Sequence, residues 1–574
     1  MVLKKDNNIF FQRSRLMTAF LLILAGVIST RLFYLQVVKG SSIKLNAQNQ
    51  HSIYRKLFPS RGEIKITDKD QKETYIVAGT AKKYLAYAVP QEITNPVQTA
   101  SDLAEILLLE KSEIYEKITN KQKKYVPIKK ALTEKEQEDI KAKNLPGIFF
   151  DSEDARIYPE KNLLSQVLGF VGFKDEGKAG LYGLERYFEK ELAGKAGELR
   201  QEKDSSGAWI FGSRRDLVQP EDGVNLVLTI DKNIQFQAEK ILKDAVTKHE
   251  ADSGSIVVAD PKTGKILAMA GYPDFNPNEY NKVEDPKNFQ NLATLGSYEP
   301  GSVFKPLTMA AAINEGKIKA DTVYTDTGLV EIDGYKIKNS DNKSHGEQTM
   351  TQALEKSLNT GVIFAKDQIG NKTFFEYIKK FGFGQATGIE LSEVKGNLDN
   401  LKADIKVNFH TASFGQGISV TPIQLVQAFT SVANGGKMVQ PYLVQTQIFP
   451  SGKVENTKTK VVAEVISEST ANVVSAMMVN VVENGHGKRA AVPGYFIAGK
   501  TGTAQVPKKD GRGYEENNNI GSFIGFGPVE NPRFLMLVRI DHPRTVDFAE
   551  TTAAPAFGEL AKFILNYYQV PPSR

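Results

Sequence analysis

The sequence predicts an α/β protein, an antiparallel sheet covered by helices, set behind one membrane-crossing helix. Three observations carry that expectation. Leu16–Val38 is almost wholly apolar. From Asn225 onward strand-like runs give way to helical ones, and these to strands and a last helix, the order of a sheet with segregated helices. Between them Pro300-Gly301 signals a turn, and an Ala-rich apolar run follows from Ser302 until Gly316 stops it.

The chain has 574 residues, enough for two or more domains, and 73 basic against 67 acidic residues give a net charge of +6. That balance, with no long basic block, argues against nucleic acid. The absence of cysteine excludes disulfides, thiolate metal sites and cysteine nucleophiles. Six histidines without His-Glu-x-x-His or paired spacing give no metal site, and no cofactor is expected.

As a helix Leu16–Val38 reaches about 34 Å, enough to cross the hydrocarbon core. Lys4, Lys5, Arg13 and Arg15 precede it, so residues 1–15 are expected in the cytoplasm and everything after residue 38 outside. Arg31, near the outer end, can snorkel to the interface. A cleaved signal peptide is the alternative, but Leu32–Leu35 prolongs the apolar run past a cleavage site.

Residues 39–222 read as a mixed, charged support or docking module. Ser60-Arg61-Gly62 turns into the alternating Glu63–Ile66, Ser101–Lys117 has helical spacing, and Leu181–Gly194 reads as a charged amphipathic helix. Pro220–Gly223 punctuates the chain, and 223–574 is more regular. A strand is expected at Asn225–Ile230 and a helix at Lys232–Lys248. Strands Ser255–Ala259 and Lys265–Ala270 follow, joined by the hairpin turn Asp260–Gly264. Helices are expected at Ser302–Glu315, Gln352–Lys356, Gly361–Gly370, Pro422–Asn434 and Pro555–Tyr567. Late strands are expected at Gly494–Ala498, Ala504–Val506, Ser522–Gly527 and Phe534–Ile540.

Three short motifs carry chemistry. Ser302 and Lys305, three apart, share a face of a first helical turn, where Pro306 is tolerated. A hydroxyl beside an amine at a helix N-terminus is an activated-nucleophile pattern, if the lysine is neutral. Ser41–Lys44, Ser340–Lys343 and Ser392–Lys395 share the spacing, but in polar surroundings that read as solvated surface. Ser357-Leu358-Asn359 sits between two helical stretches, where a hydroxyl and a carboxamide can both face a cleft; Ser340-Asp341-Asn342 also matches. Lys500-Thr501-Gly502-Thr503 reads as strand, with Thr501 and Thr503 facing one way to bind a carboxylate. Gly502 would leave room for a substrate backbone, and Lys500 adds charge. Lys262-Thr263-Gly264 repeats the tripeptide inside a hairpin turn. Gly494–Thr501 fits the phosphate-loop pattern, but its strand-like residues and the lack of a following helix speak against a phosphate cradle.

Ordered as Ser302…Lys305, Ser357…Asn359 and Lys500-Thr-Gly, the set matches the combination found in penicillin-binding proteins and class A β-lactamases. The chain resembles the class B penicillin-binding proteins, membrane-anchored D,D-transpeptidases of peptidoglycan synthesis. The resemblance rests on Arg31–Gln36, Arg61-Gly62, Arg156-x-Tyr158-Pro159 and Gly183-Leu184-Glu185 in the anchor and pedestal. In the catalytic part it rests on Tyr298–Ser302, Phe381–Gly384, Phe414–Gly417 with Val420–Pro422, and Gly499–Ala504. Val303 departs from the threonine frequent there, at a non-catalytic position. Ser522–Gly525, Pro528, Asn531-Pro532 and the Gln424–Gly436 helix are closer to the division (septal) type than to the elongation type.

The resemblance implies the penicillin-binding transpeptidase fold with an all-helical subdomain at 223–574, behind an elongated α+β pedestal at 39–222. Ser302 is then the nucleophile on a D-Ala-D-Ala stem peptide and Lys305 its base, its pKa lowered by burial and by Lys500. Ser357 relays a proton, Asn359 holds the peptide, and Thr501, Gly502 and Thr503 bind substrate. An amine of a neighbouring stem peptide accepts the acyl group, and β-lactams acylate Ser302. A polytopic membrane glycosyltransferase and division-complex proteins are the implied partners, since residues 39–222 lack a Glu-Asp-x-x-Phe-like glycosyltransferase signature. The competing readings are an elongation-type enzyme, a β-lactamase or carboxypeptidase, and a non-catalytic penicillin-binding scaffold.

Overall fold

The structure, a computed structural model, describes residues 7–41, 52–174, 177–202, 215–508, 513–546 and 548–574. It divides into two compact units, Met1–Pro59 with Gly194–Asp222, and Ser60–Ala193 with Gly223–Arg574.

In the first unit Asn7–Phe33 is one α-helix, and its continuation Tyr34–Val38 widens into π-helical geometry. The stretch Phe11–Val38 is long and apolar enough to cross a membrane, and none of it is buried in protein. Lys4 and Lys5 lie outside the described residues. The unit also holds a three-stranded antiparallel sheet in the order Ser52–Leu57, Gly197–Glu202, Arg215–Val218.

The second unit begins with the pedestal segment Ser60–Ala193. Ile64–Thr67 is the strand its alternation predicts, and it pairs in parallel with Asn225–Asp231. Glu185, fully buried, joins three distant stretches: Arg61 reaches its Oε2 at 2.7 Å, and Arg156 Nε reaches Oε1 at 2.6 Å. Tyr158 donates to the same Oε1 at 3.2 Å, and Arg156 Nη1 donates to the Gly62 carbonyl at 2.7 Å. A carboxylate with no exposure needs such paired donors to offset its desolvation.

Two helical expectations here change. Ser101–Lys117 is two helices, Pro96–Leu107 and Lys111–Thr119, separated at Leu108, which adopts φ 52°. The periodicity runs on across the break because Leu103, Leu107, Ile114 and Ile118 enter one core. Leu181–Gly194 holds two short helices, Gly183–Tyr187 and Glu189–Ala193, broken at the buried Phe188.

The region from Gly223 onward is built on five strands, β1 Ser253–Ala259, β2 Ile266–Tyr272, β3 Ala498–Pro507, β4 Tyr514–Gly527 and β5 Phe534–Asp541. They lie in the order β2-β1-β5-β4-β3, antiparallel throughout, with β3 at the edge. All eight residues of β5 are buried, as expected of a central strand covered on both faces. On one face Lys232–Lys248 and Ala553–Tyr567 supply Ile234, Ala238, Leu242, Phe557 and Leu560 against Val538 and Ile540. On the other, Lys305–Asn314, Pro422–Ala433 and Glu468–Glu483 pack Leu307, Leu425, Phe429 and Val474 against Val257 and Leu537. Asp231 caps the helix Lys232–Lys248 by accepting from the N–H groups of Asn233 and Ile234.

The helix expected at Gly361–Gly370 runs as Asn359–Lys380, interrupted at Gly370 with φ 73°. The strand expected at Gly494–Ala498 begins instead at Ala498. Tyr495 and Ile497 are buried from a turn, where the Tyr495 hydroxyl donates to the Val570 carbonyl at 2.6 Å, so apolarity there reports burial and not strand. Gly494–Thr501 therefore turns into an edge strand with no helix behind it, unlike a phosphate loop. Lys262–Gly264 forms the hairpin turn, with Thr263 donating to Asp260 at 2.6 Å.

Candidate active site

The turn carrying Ser302 is held by backbone on two sides. Residues 301–304 form a 3₁₀ turn that leads into the α-helix Lys305–Asn314, with Pro306 in its first turn. Tyr298 and Val420 exchange two backbone hydrogen bonds of 2.9 Å, and Gly301 N–H donates to the Gly415 carbonyl at 3.0 Å. A side chain at Gly415 would meet the Gly301 backbone at 2.3 Å, so only glycine allows that approach.

On the other side lies β3. A Cβ on Gly502 would stand 2.8 Å from Val303 Cγ1, 2.9 Å from Val303 N and 3.1 Å from the Pro300 carbonyl oxygen. Gly502 thus lets the edge strand close on the Ser302 turn. The expectation that it leaves room for a substrate backbone is corrected: that space is filled by protein.

The three motifs converge on Ser357. This residue takes φ 57° between the helix Met350–Glu355 and the helix that opens at Asn359. Lys305 Nζ donates to the Ser357 carbonyl at 2.5 Å and lies 3.2 Å from its Oγ, and Lys500 Nζ donates to the same Oγ at 3.0 Å. Lys500 also donates to the Thr501 carbonyl at 2.9 Å. Neither ammonium has a carboxylate partner among the described residues. Burial, and after it the like charge of Lys500, hold Lys305 well below the ordinary lysine range; burial brings Lys500 down to about 7. Two adjacent amines on one hydroxyl oxygen, both with depressed pKa values, are an arrangement able to accept and return a proton.

A cavity of about 890 Å³ opens over this centre, lined by Ser302, Asn359 and Thr503, by Tyr335–Ser340, and by Thr411, Phe414, Tyr514 and Phe548. Asn359 Nδ2 donates to the Lys338 carbonyl at 2.8 Å, which fixes its carboxamide at the wall. Thr503 Oγ1 accepts from Ala549 N–H at 3.2 Å and keeps its own proton to donate. Thr501 does not line the cavity; it is buried, with Oγ1 3.4 Å from Lys500 Nζ.

Sequence reasoning missed part of the wall. Ser340 and Asn342, in a stretch read as solvated surface, line the cavity together with Tyr335–Lys338, the strand of the preceding hairpin that pairs with Leu329–Ile332. Glu299 was read only within a family segment. Burial pushes its carboxyl up while it accepts from Gly417 N–H at 3.0 Å and the Tyr514 hydroxyl at 3.1 Å, bracing the segment before Ser302.

Comparison with known proteins fits this geometry. The penicillin-binding protein transpeptidase domain model matches residues 254–562, and the penicillin-binding protein dimerisation domain model matches residues 56–228. Stage V sporulation protein D of Bacillus subtilis is 36% identical over 556 residues, covering 96% of this chain and 84% of that protein. A peptidoglycan D,D-transpeptidase FtsI homolog of Mesostigma viride is 30% identical, covering 98% and 97%. Among solved structures, penicillin-binding protein 2X of Streptococcus thermophilus superposes with a TM-score of 0.76 at 24% identity, covering 90% of this chain and 80% of that one. Penicillin-binding protein 3 of Mycobacterium tuberculosis, solved with aztreonam, gives 0.70 at 25% identity, covering 91% and 98%.

Proposed function

The chain belongs to the class B penicillin-binding proteins, and from that premise we propose that it is a serine peptidoglycan D,D-transpeptidase with Ser302 as nucleophile. The observation that supports the assignment of roles is the shared hydrogen bonding of Lys305, three residues after Ser302, and of Lys500 to Ser357.

Ser302 Oγ attacks the carbonyl carbon of the penultimate D-Ala while its proton passes to neutral Lys305. The new oxyanion is held by the N–H groups of Ser302 and Thr503, the latter on an edge strand; such donors are worth roughly 3 kcal/mol each. Ser357, between the two lysines, delivers a proton to the departing D-Ala nitrogen as the C–N bond breaks, leaving an acyl-enzyme on Ser302. Thr503, with Thr501 and Lys500 behind it, recognises the terminal carboxylate, and Asn359 holds the peptide. An acceptor amine then attacks the ester, gives its proton back through the same relay and releases Ser302, forming the crosslink. A β-lactam carbonyl enters the same path, and its ring-opened amine stays tethered.

Residues 16–38 anchor the chain in the membrane with the N-terminus cytoplasmic; 39–222 form the pedestal and 223–574 the catalytic domain outside. Glycan polymerisation falls to a polytopic membrane partner. The septal assignment is supported by Ser522–Gly525, Pro528, Asn531-Pro532 and the Gln424–Gly436 helix, which are closer to the division type.

Purified full-length protein given a D-Ala-D-Ala donor and an amine acceptor is expected to release D-Ala and form the amide-linked product. Labelled penicillin should remain bound for many minutes. Rapid loss of label with a hydrolysed donor would assign a lactamase or carboxypeptidase instead, and normal septation with Ser302→Ala as the sole copy would assign a scaffold.

A further inference from the structure

Outside the three motifs, one buried carboxylate is tied to the same arm of the site. Asp326 is 1% exposed, and no cationic side chain pairs with it among the described residues. Its Oδ1 accepts from the Thr360 hydroxyl at 2.7 Å, Gly328 N–H at 2.9 Å and Asn339 Nδ2 at 3.0 Å. Its Oδ2 accepts from His345 N–H at 2.9 Å and again from Asn339 Nδ2 at 3.0 Å. Burial works to raise its pKa, but the hydrogen bonds from Thr360, Gly328, Asn339 and His345 outweigh it and keep the group ionised.

What those donors belong to gives the cage its meaning. Thr360 follows Asn359 at the start of the helix Asn359–Lys380. Asn339 follows Lys338, whose carbonyl accepts from the Asn359 carboxamide. Thr360 N–H donates to Asn339 Oδ1 at 3.3 Å, closing the triangle. One carboxylate therefore fixes both backbone positions that aim the Asn359 side chain: the helix start it grows from and the hairpin end it bonds to. Gly328 and His345, at either end of the segment carrying Tyr335–Asn342, are held to the same two oxygens. Hydrogen bonds to an ionised acceptor are the stronger kind, and satisfied buried networks make a local geometry unique.

We propose that Asp326, acting through Thr360 and Asn339, is a positioning residue of the acylation site: it sets where the Asn359 carboxamide and the cavity wall Tyr335–Asn342 stand relative to Ser302. This rests on the reading of Asn359 as the group that holds the substrate.

The test uses the full chain and labelled penicillin, with acylation rate and melting temperature measured together. Thr360→Val removes one donor to Asp326 while keeping the branched side-chain shape, and Asp326→Asn keeps the shape while turning one oxygen into a competing donor. Displacements of about 1 Å cost on the order of a hundredfold in rate, so each variant is expected to slow acylation between about ten- and a hundredfold. Thr360→Ser should restore it. In an Asn359→Ala background, Thr360→Val should cost less than about twofold further, because its effect runs through Asn359. An equal penalty with and without Asn359, or parent-like rates for Thr360→Val in a protein where Asn359→Ala is slow, would overturn the positioning role. Parent-like acylation by Asn359→Ala itself would remove the underlying reading. Should Asp326→Asn fail to fold, the Thr360 pair decides alone.

Discussion

Lys305→Met protein is expected to fold at least as stably as the parent while reacting with labelled penicillin at least about 10³-fold more slowly. A positioned base contributes roughly 10² to 10⁴ in rate, and a nucleophile and base acting as one unit contribute up to about 10⁶. The stability half follows from the burial of Lys305 and Lys500 without carboxylate partners. An unfolded lysine keeps its proton up to about pH 10.4, whereas burial brings Lys500 in the folded chain down to about 7 and Lys305 well below its ordinary range. Between the folded and unfolded values the unfolded chain binds more protons, so stability rises with pH through that window, from about 7 upward for Lys500. Below it the full cost remains, on the order of 5 kcal/mol for Lys500 at about 1.4 kcal/mol per pH unit. Lys305→Met leaves that cost of Lys500 in place but removes the corresponding cost of Lys305, and methionine fills similar volume, so unfolding midpoints should rise and their slope with pH should flatten in part. In the parent, acylation should fall on the acid side as the pair takes up a proton, with apparent values that belong to both lysines together. A Lys305→Met protein that acylates at the parent rate would remove the lysine from the chemistry.

Gly502→Ala is expected to cripple the site through packing. Its Cβ would stand within 2.8–3.1 Å of Val303 Cγ1, Val303 N and the Pro300 oxygen, and two of those atoms are backbone that cannot rotate aside. Overpacking of this kind costs roughly 1–3 kcal/mol, and a shift of about 1 Å between β3 and the Ser302 turn costs on the order of 10²-fold in rate. Adding Val303→Ala relieves the Cγ1 contact but not the backbone ones, so it should recover stability only in part. Rate and melting temperature measured on both variants check this; a Gly502→Ala protein with parent-like acylation would mean that strand and turn need not meet so closely.

Much of this site was legible because its chemistry is concentrated in short motifs on predictable elements. Ser302 and Lys305 share one turn by helical spacing, and Lys500–Thr503 read as strand. The convergence on Ser357 was legible only through the order of the motifs, since Ser357 and Asn359 are ordinary helix-boundary residues. Arg61, Arg156 and Glu185 stood out as family segments, but only the fold shows them as one buried network. The Asp326 cage was not legible: its polar partners Asn339 and Thr360 are 13 and 34 residues away and follow no helical or strand period. Gly502 misled for a related reason, because a bare strand position looks the same whether ligand or protein fills it. The fused helix expected at Ser101–Lys117 and the strand expected at Gly494–Ala498 failed where apolar periodicity reported a shared core and not a continuous element.

The central claim, that Ser302 is the acylated oxygen, is tested most directly by peptide mass spectrometry of the full chain after brief exposure to benzylpenicillin. The penicilloyl mass should lie on the peptide containing Ser302, fragment to that residue, and vanish in Ser302→Ala. An adduct on Ser357, Ser340 or any other residue, or one that survives Ser302→Ala, would contradict it.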